Sequence, residues 1–251
     1  MEKITAIIPC YNEERTLDAA LKSVAFADEI LVVDSFSTDK SLDIAQSHGA
    51  RIIQREYENS ASQKNWAIPQ ATHEWIVLLD ADEEVPDALR AEIIETINRA
   101  PSEVAFWIPR RNKFMGRWIK HSGWQGDRVI RLFRKSKSRY EEKHVHAEVL
   151  ADGPVGQLKN SLDHDTYRGL DEYIRKLDRY ADWQARDYHS KTGTIGFYEL
   201  WLKPGFRFFK HYWLQGGFRD GVPGLTISYL QAYAVRMRYL KMWDLRRSGK
   251  L

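Results

Sequence analysis

Short apolar runs recur through the first 110 positions. Each is followed by a polar cluster and then by a stretch whose apolar residues return every three or four places. Ile4-Thr5-Ala6-Ile7-Ile8, Ile30-Leu31-Val32-Val33, Arg51-Ile52-Ile53-Gln54, Trp75-Ile76-Val77-Leu78-Leu79 and Val104-Ala105-Phe106-Trp107-Ile108 read as buried strands. Between them, 13–24 puts Leu17, Ala20, Leu21 and Val24 on one helical face, and 39–47 turns Leu42, Ile44 and Ala45 inward. A helix is predicted from Ser62 up to Pro69, and Pro86 suits the first turn of another that runs to Arg99. Strands separated by helices predict an α/β fold with a mostly parallel sheet and helices on both faces. Ligands of such sheets gather beyond the carboxyl ends of the strands, so polar residues there are the candidates for chemistry.

The pattern changes after residue 110. Residues 110–165 are rich in Arg, Trp, Gly and His, with short strand-like pieces at Val129-Ile130-Arg131-Leu132-Phe133 and His144-Val145-His146. From Gly169 onward Leu170, Tyr173, Ile174, Leu177 and Tyr180 recur at helical spacing, and further helices are expected near 197–213 and 225–243. Gly216-Gly217, Gly221, Pro223 and Gly224 punctuate them.

Composition narrows the class. Of 251 residues, 43% are hydrophobic, enough for a sizeable core, while a mean hydropathy of −0.54 argues against a polytopic membrane protein. No apolar run approaches the ~20 residues of a spanning helix, and Met1-Glu2-Lys3-Ile4 passes straight into a strand, so no signal peptide is expected. Cys10 is the sole cysteine, which rules out an intrachain disulfide and suggests a reducing, cytoplasmic compartment. His121, His144, His146 and His164 show no ligand-like spacing. Net charge is +3, but 196–251 carries ten Lys/Arg against three Asp/Glu, leaving −4 for the remainder. That stretch also holds thirteen aromatics. A basic, aromatic tail predicts an anionic partner, with a peripheral seat on the inner face of the cytoplasmic membrane favoured over nucleic acid, for which no module motif is visible. Around Lys203–Trp213 the expectation is aromatics toward lipid with bases at headgroups; packing on the rest of the chain or on a second subunit is the alternative.

Three strand ends carry candidate chemistry. After the first strand, Pro9-Cys10-Tyr11-Asn12-Glu13 opens a helix whose N–H groups could face a nucleotide, unless Asn12 merely caps it. After the second, Asp34 can accept from a base N–H or a ribose hydroxyl, while Asp39 suits a helix cap. After the fourth, Leu78-Leu79-Asp80-Ala81-Asp82-Glu83-Glu84 places Asp80 and Asp82 one residue apart. In a strand, residues i and i+2 point to the same side, so both carboxylates are expected to converge beyond the sheet and to share a hard divalent cation with a diphosphate. An acidic solvated turn is the plain alternative.

As a set these segments resemble the family 2 glycosyltransferases of the GT-A fold, over about the first 110 residues. The resemblance implies that Pro9, Tyr11, Glu13 and Asp34 bind the uridine nucleotide of a UDP-sugar, and that Asp80 and Asp82 contact ribose and hold Mg²⁺ or Mn²⁺. The changes of pattern along the chain predict a catalytic domain over 1–165, with a nucleotide-sugar half at 1–110 and an acceptor half at 111–165, and a helical appendage over 166–251. Gln63-Lys64-Asn65-Trp66-Ala67, Glu74-Trp75, Arg131-Leu132-Phe133 and Gly217-Phe218-Arg219-Asp220-Gly221 further resemble lipopolysaccharide-core β-1,4-glucosyltransferases. That branch implies UDP-glucose as donor and a membrane-anchored glycolipid or lipopolysaccharide core as acceptor.

Displacement at an anomeric carbon needs a stabilised leaving diphosphate, for which Lys64, Arg128 and Arg131 are candidate cations besides the metal. It also needs a carboxylate base. Glu148 is the first candidate and Asp127 its rival, with His146 as an orienting group. Inversion follows from a single in-line attack. Trp118 and Trp124 are either sugar-stacking or core residues. A nucleotidyltransferase remains an alternative, although the glycine-free, acidic segment Pro9–Glu14 does not suit its phosphate loop. A non-catalytic nucleotide-sugar-binding module is another, and oligomerisation is open.

Overall fold

The computed structural model describes residues 2–142, 147–167 and 169–249. The chain divides into two units, 1–111 with 126–164 and 112–125 with 165–251.

In the first unit, β1 (Ile4–Cys10), α1 (Leu17–Ser23), β2 (Glu29–Asp34), α2 (Ser41–Ser47), β3 (Arg51–Gln54), α3 (Ser60–Ala67) and β4 (Trp75–Leu78) follow the predicted alternation. Then come β5 (Glu83–Glu84), α4 (Asp87–Asn98) and β6 (Ala105–Phe114), whose last three residues belong to the second unit and pair there with β7 (Arg117–Ile119). The first unit continues with β8 (Arg128–Arg134), β9 (Ser138–Tyr140), β10 (Val149–Ala151), β11 (Val155–Gln157) and the first three residues of β12 (Leu162–Tyr167), whose remainder belongs to the second unit. The sheet runs β3-β2-β1-β4-β8-β6-β12-β5. Pairings from β3 to β4 are parallel, and β8 lies antiparallel to both β4 and β6.

The parallel strands are apolar on both faces because helices cover both. Ile4, Ile8, Val32 and Val77 pack on one side with Leu17, Leu21 and Ile93. Ile7, Leu31, Val33 and Ile76 pack on the other with Ala61, Ala67 and Phe133. The first helix starts later than the apolar period predicts, at Leu17 rather than Glu13. Asn12 sits at φ 55°, outside the helical region, and the chain turns once more before the helix begins.

The second unit adds α5 (Leu170–Tyr188), α6 (Lys203–Phe209) and α7 (Val222–Arg247). Its core joins Phe114, Ile119, Tyr173, Leu177, Ile227 and Leu230. Trp124 meets the Phe114 and Tyr173 rings edge-on, so it is a packing residue, whereas Trp118 is exposed. Buried Asp220 accepts from the Lys120 and His121 amides and the Ser122 hydroxyl, which explains that residue of the Gly217–Gly221 segment structurally. Gly224 has no room for a side chain: a Cβ there would lie 2.0 Å from the Gly217 carbonyl oxygen.

Candidate active site

The carboxyl ends of β1, β2 and β4 lie side by side because β1 pairs with both neighbours, Cys10 opposite Asp34 and Ile7 opposite Leu78. Asp34 and Asp80 therefore sit at one sheet edge, about two strand spacings or ~10 Å apart. Consecutive residues of α3 reach both ends. The Gln63 side-chain amide donates to the Ser35 hydroxyl at 3.1 Å, and the Lys64 ammonium pairs with Asp80 at 2.8 Å.

The first two loops are knitted together. The amides of Asn12, Glu13 and Glu14 donate to Ser37 Oγ, Ser41 Oγ and Asp39 Oδ2 at 2.9, 2.8 and 3.0 Å. The expectation that N–H groups here stand open to a nucleotide is thus corrected: side chains of the second loop already accept from them. Asn12 does not cap α1, whose N-cap is Thr16; its Oδ1 instead accepts from the Thr38 amide at 2.8 Å. Asp34 is fully buried, accepting from the Ser37 amide and from the Gln54 side chain at 2.9 Å. Glu13 accepts from the Thr16 hydroxyl at 3.0 Å. Pro9 is half-buried at the strand end. Tyr11 and Phe36 are exposed aromatics, each one residue ahead of a partner in the Asn12–Ser37 bond. Phe36 sits at φ 60°, a left-handed backbone that costs a bulky residue about 1–2 kcal/mol and persists only where the surroundings impose it.

Cys10 lies beneath this loop. Burial, reinforced by the Asp34 charge, pushes its thiol up to about 11 against the hydrogen bond from Ser41. With a model-peptide thiol near 9, the thiolate fraction at pH 8 drops about 100-fold. Alkylation of the native protein at pH 8, followed by intact-mass measurement, is therefore expected to run at least about 100-fold slower than in urea. Equal rates would show that the loop does not cover the thiol.

At the third strand end the regular ladder stops at Leu78, and Asp80-Ala81-Asp82-Glu83 forms a turn closed by the Glu83 amide on the Asp80 carbonyl at 2.9 Å. The expected convergence of Asp80 and Asp82 by strand alternation is corrected accordingly, since period two does not hold in a turn. The two acids have different partners. Asp80 pairs through one oxygen with Lys64 and through the other with Arg131. Asp82 Oδ2 lies 3.3 Å from His164 Nε2.

Arg131 reaches Asp80 because of an irregularity in β8: Leu132 pairs with Phe106 and Ile130 with Trp107, leaving Arg131 as the extra residue of a bulge. It also pairs with buried Glu83 at 2.8 Å and donates to the Tyr140 hydroxyl at 3.2 Å. Glu83 in turn meets Arg110 at 3.1 Å, and Arg110 meets Asp127 at 2.9 Å. Lys64, Asp80, Arg131, Glu83, Arg110 and Asp127 thus form a chain of alternating charge. Burial alone would raise the Asp80 carboxyl, but Arg131 and Lys64 hold it far below the usual range. Burial alone would lower Lys64 and Arg131, yet the neighbouring carboxylates raise both.

The remaining candidates lie apart from this chain or at its end. Arg128 is exposed, stacked over the Trp107 ring at 4.9 Å and bonded to Gln157. Asp127 is held by Arg110. Glu148 is exposed, and its carbonyl accepts from the Glu141 amide at 2.9 Å. His144 and His146 lie outside the described residues.

Among the described residues, no three His, Cys, Asp or Glu side chains gather into a metal cage. An open site suits Asp82 with His164. The Asp82 oxygen and the His164 nitrogen stand 3.3 Å apart, close enough that both would hold one divalent ion, which would supply charge stabilisation for a phosphate. Sequence reading passed over His164 because its partner is set by β12–β5 pairing, His164 opposite Glu83, across 81 positions of chain. It likewise missed the parts played by Glu83, Arg110, Phe36 and Gln63, although Glu83 and Gln63 lay within quoted segments. Gln63 Oε1 is buried and has no hydrogen-bond partner among the described residues.

Known proteins bear out the motif reading. LpsC of Rhizobium meliloti, a lipopolysaccharide core biosynthesis glycosyltransferase, is 29% identical over 251 residues, covering 94% of this chain and 93% of its own. An uncharacterized glycosyltransferase of Rickettsia conorii, RC0292, is 27% identical and covers 99% of this chain and 91% of its own. Among solved structures, glucosyl-3-phosphoglycerate synthase from Mycobacterium tuberculosis with Mn²⁺ and UDP aligns over 45% of this chain and 44% of its own, with 21% identity and a TM-score of 0.38, a likeness too slight to bear on this site. Residues 5–151, more than half of the chain, match the family model for Glycosyl transferase family 2. The chain belongs to that family and is a glycosyltransferase.

Proposed function

We propose that the enzyme moves a sugar, glucose first among candidates, from a UDP-sugar to a cell-envelope glycolipid of the lipopolysaccharide-core type. The supporting observation is the grip of α3 on two strand ends, Gln63 on Ser35 and Lys64 on Asp80. In this reading the base lies between Tyr11 and Phe36, with Asp34 beneath it. Gln63 Oε1, a buried acceptor lacking a partner, accepts from the nucleoside, because such a group is costly unless something donates to it. Asp80 keeps 37% of its side chain exposed and contacts the ribose. Asp82 and His164 would hold Mg²⁺ or Mn²⁺, which supplies charge stabilisation for the leaving diphosphate. Lys64 and Arg131 add positive potential under the same edge. The likeness to LpsC supports the acceptor class.

Glu148 is proposed as the base over Asp127, whose carboxylate is already held by Arg110. The test is a donor screen that reads nucleoside diphosphate release with and without Mn²⁺, followed by mass analysis of glycolipid acceptors. UDP release from UDP-glucose that needs the metal is expected, with Glu148→Gln losing transfer but retaining UDP binding and Asp127→Asn retaining more of both. Pyrophosphate release from a nucleoside triphosphate would point to nucleotidyl transfer, and UDP binding without turnover on any acceptor to a binding module.

A further inference from the structure

The helical segment 198–214 in the second unit is built inside out. α6 is extended at both ends by π-helical stretches, Tyr198–Leu202 and Lys210–Leu214. Its inward face carries Lys203, Pro204, Arg207 and His211. Lys203 donates to the Tyr239 hydroxyl at 3.0 Å and pairs with Glu199, and His211 Nδ1 lies 2.8 Å from the Ser122 carbonyl oxygen. Its outward face is apolar: Trp201 is 57% exposed and Phe206 63%, with Leu202, Phe209, Trp213 and Leu214 exposed beside them. The ordinary arrangement turns the apolar stripe to the core and the charges to water. The sequence-based expectation that the bases here face headgroups is therefore corrected for Lys203 and Arg207, which point into the fold.

An apolar face of this size needs a cover. The exposed row continues past the Trp213–Phe218 ring contact at 5.8 Å to Val222, Leu225 and Tyr229. Cations border it: Lys210 is exposed, and Arg219 stacks on Phe218 at 5.5 Å. A groove of about 970 Å³ opens between this segment and α7, lined by Trp201 and Phe206 together with Arg207 and Arg238. Exposed tryptophan and phenylalanine on one helical segment, with exposed bases beside them, is the chemistry of a bilayer interface. Among the described residues no helix is long and apolar enough to cross a membrane, so the segment would lie in the surface plane.

We propose that the outward face of 198–214 seats in the interfacial layer of an anionic lipid bilayer, aromatics among the acyl chains and the exposed Lys210 and Arg219 toward lipid phosphates. The proposal is independent of the donor and acceptor reading, because vesicle binding is measured without any sugar.

The test uses the full chain with vesicles of phosphatidylcholine alone or mixed with phosphatidylglycerol. Wild type is expected to co-sediment with the anionic vesicles, to bind them several-fold more weakly at 0.5 M salt, and to show tryptophan quenching by brominated acyl chains. Phe206→Ser/Phe209→Ser, with unchanged circular dichroism, is expected to bind at least about tenfold more weakly, since each buried phenylalanine contributes on the order of a decade. Three results would overturn the proposal: wild type that stays in the supernatant, binding indifferent to the double variant, or equal binding to neutral vesicles. A concentration-dependent dimer that the double variant abolishes, without vesicle binding, would assign the face to a second copy of the chain.

Discussion

Asp82→Ala is expected to lower metal-dependent UDP release from a UDP-sugar by at least about a thousandfold while leaving the fold intact. The asymmetry follows from what the side chain touches. Asp82 sits in a turn with its side chain 30% exposed, and its carboxylate lies against His164. Substitutions at such positions usually change stability by no more than about 0.5 kcal/mol, well inside what urea denaturation resolves. The same carboxylate, in the proposed role, carries one of two protein ligands to the ion that meets the leaving diphosphate. Electrostatic groups aimed at developing charge contribute about two to three decades each, and loss of the ion adds to that. Mn²⁺ binding followed by electron paramagnetic resonance supplies a readout besides turnover, and it should weaken in His164→Ala as well. An Asp82→Ala enzyme with full activity and unchanged Mn²⁺ affinity would remove the metal role from this turn.

The alternation of β1 to β4 with its helices was legible because those strands are buried on both faces and read as unbroken apolar runs. The positions of Asp34 and Asp80 at one edge followed from that reading. Contacts made by irregular backbone were not legible. Asp80 and Asp82 were read through the period of a strand that ends at Leu78. Arg131 reaches Asp80 from a bulge, and nothing in Val129-Ile130-Arg131-Leu132-Phe133 marks where an extra residue falls. His164 is brought to Asp82 by a two-residue strand, Glu83–Glu84, too short to leave a pattern. The helix at 198–214 was visible as a helix, but a periodic stripe says which residues share a face and not which face is inside.

The largest loss of stability is expected at Glu83. Its side chain is fully buried between two guanidiniums, Arg131 at 2.8 Å and Arg110 at 3.1 Å, and its Oε2 also accepts from the Asp80 amide at 3.1 Å. Glu83→Gln keeps the volume and removes the charge, so Arg131 and Arg110 must share what Asp80 and Asp127 supply. Breaking a buried ion pair from one side costs about 3–5 kcal/mol, because the orphaned charge stays out of water. Urea denaturation at pH 7 should show that loss, and a Glu83→Gln/Arg110→Met double variant should recover part of it, since the surplus cation is then gone too. The pH dependence has a definite sign. The Asp80 carboxyl is depressed in the folded state, so its contribution is present above the unfolded value near 4 and is lost only as pH falls below that. The Lys64 ammonium is raised, so its contribution is complete below the unfolded value near 10.4 and is lost as pH climbs beyond it. The stability gap between wild type and Glu83→Gln should accordingly stay level from pH 5 to pH 9. A gap under about 1 kcal/mol, or one that closes within that range, would mean that water rather than the two arginines satisfies this carboxylate.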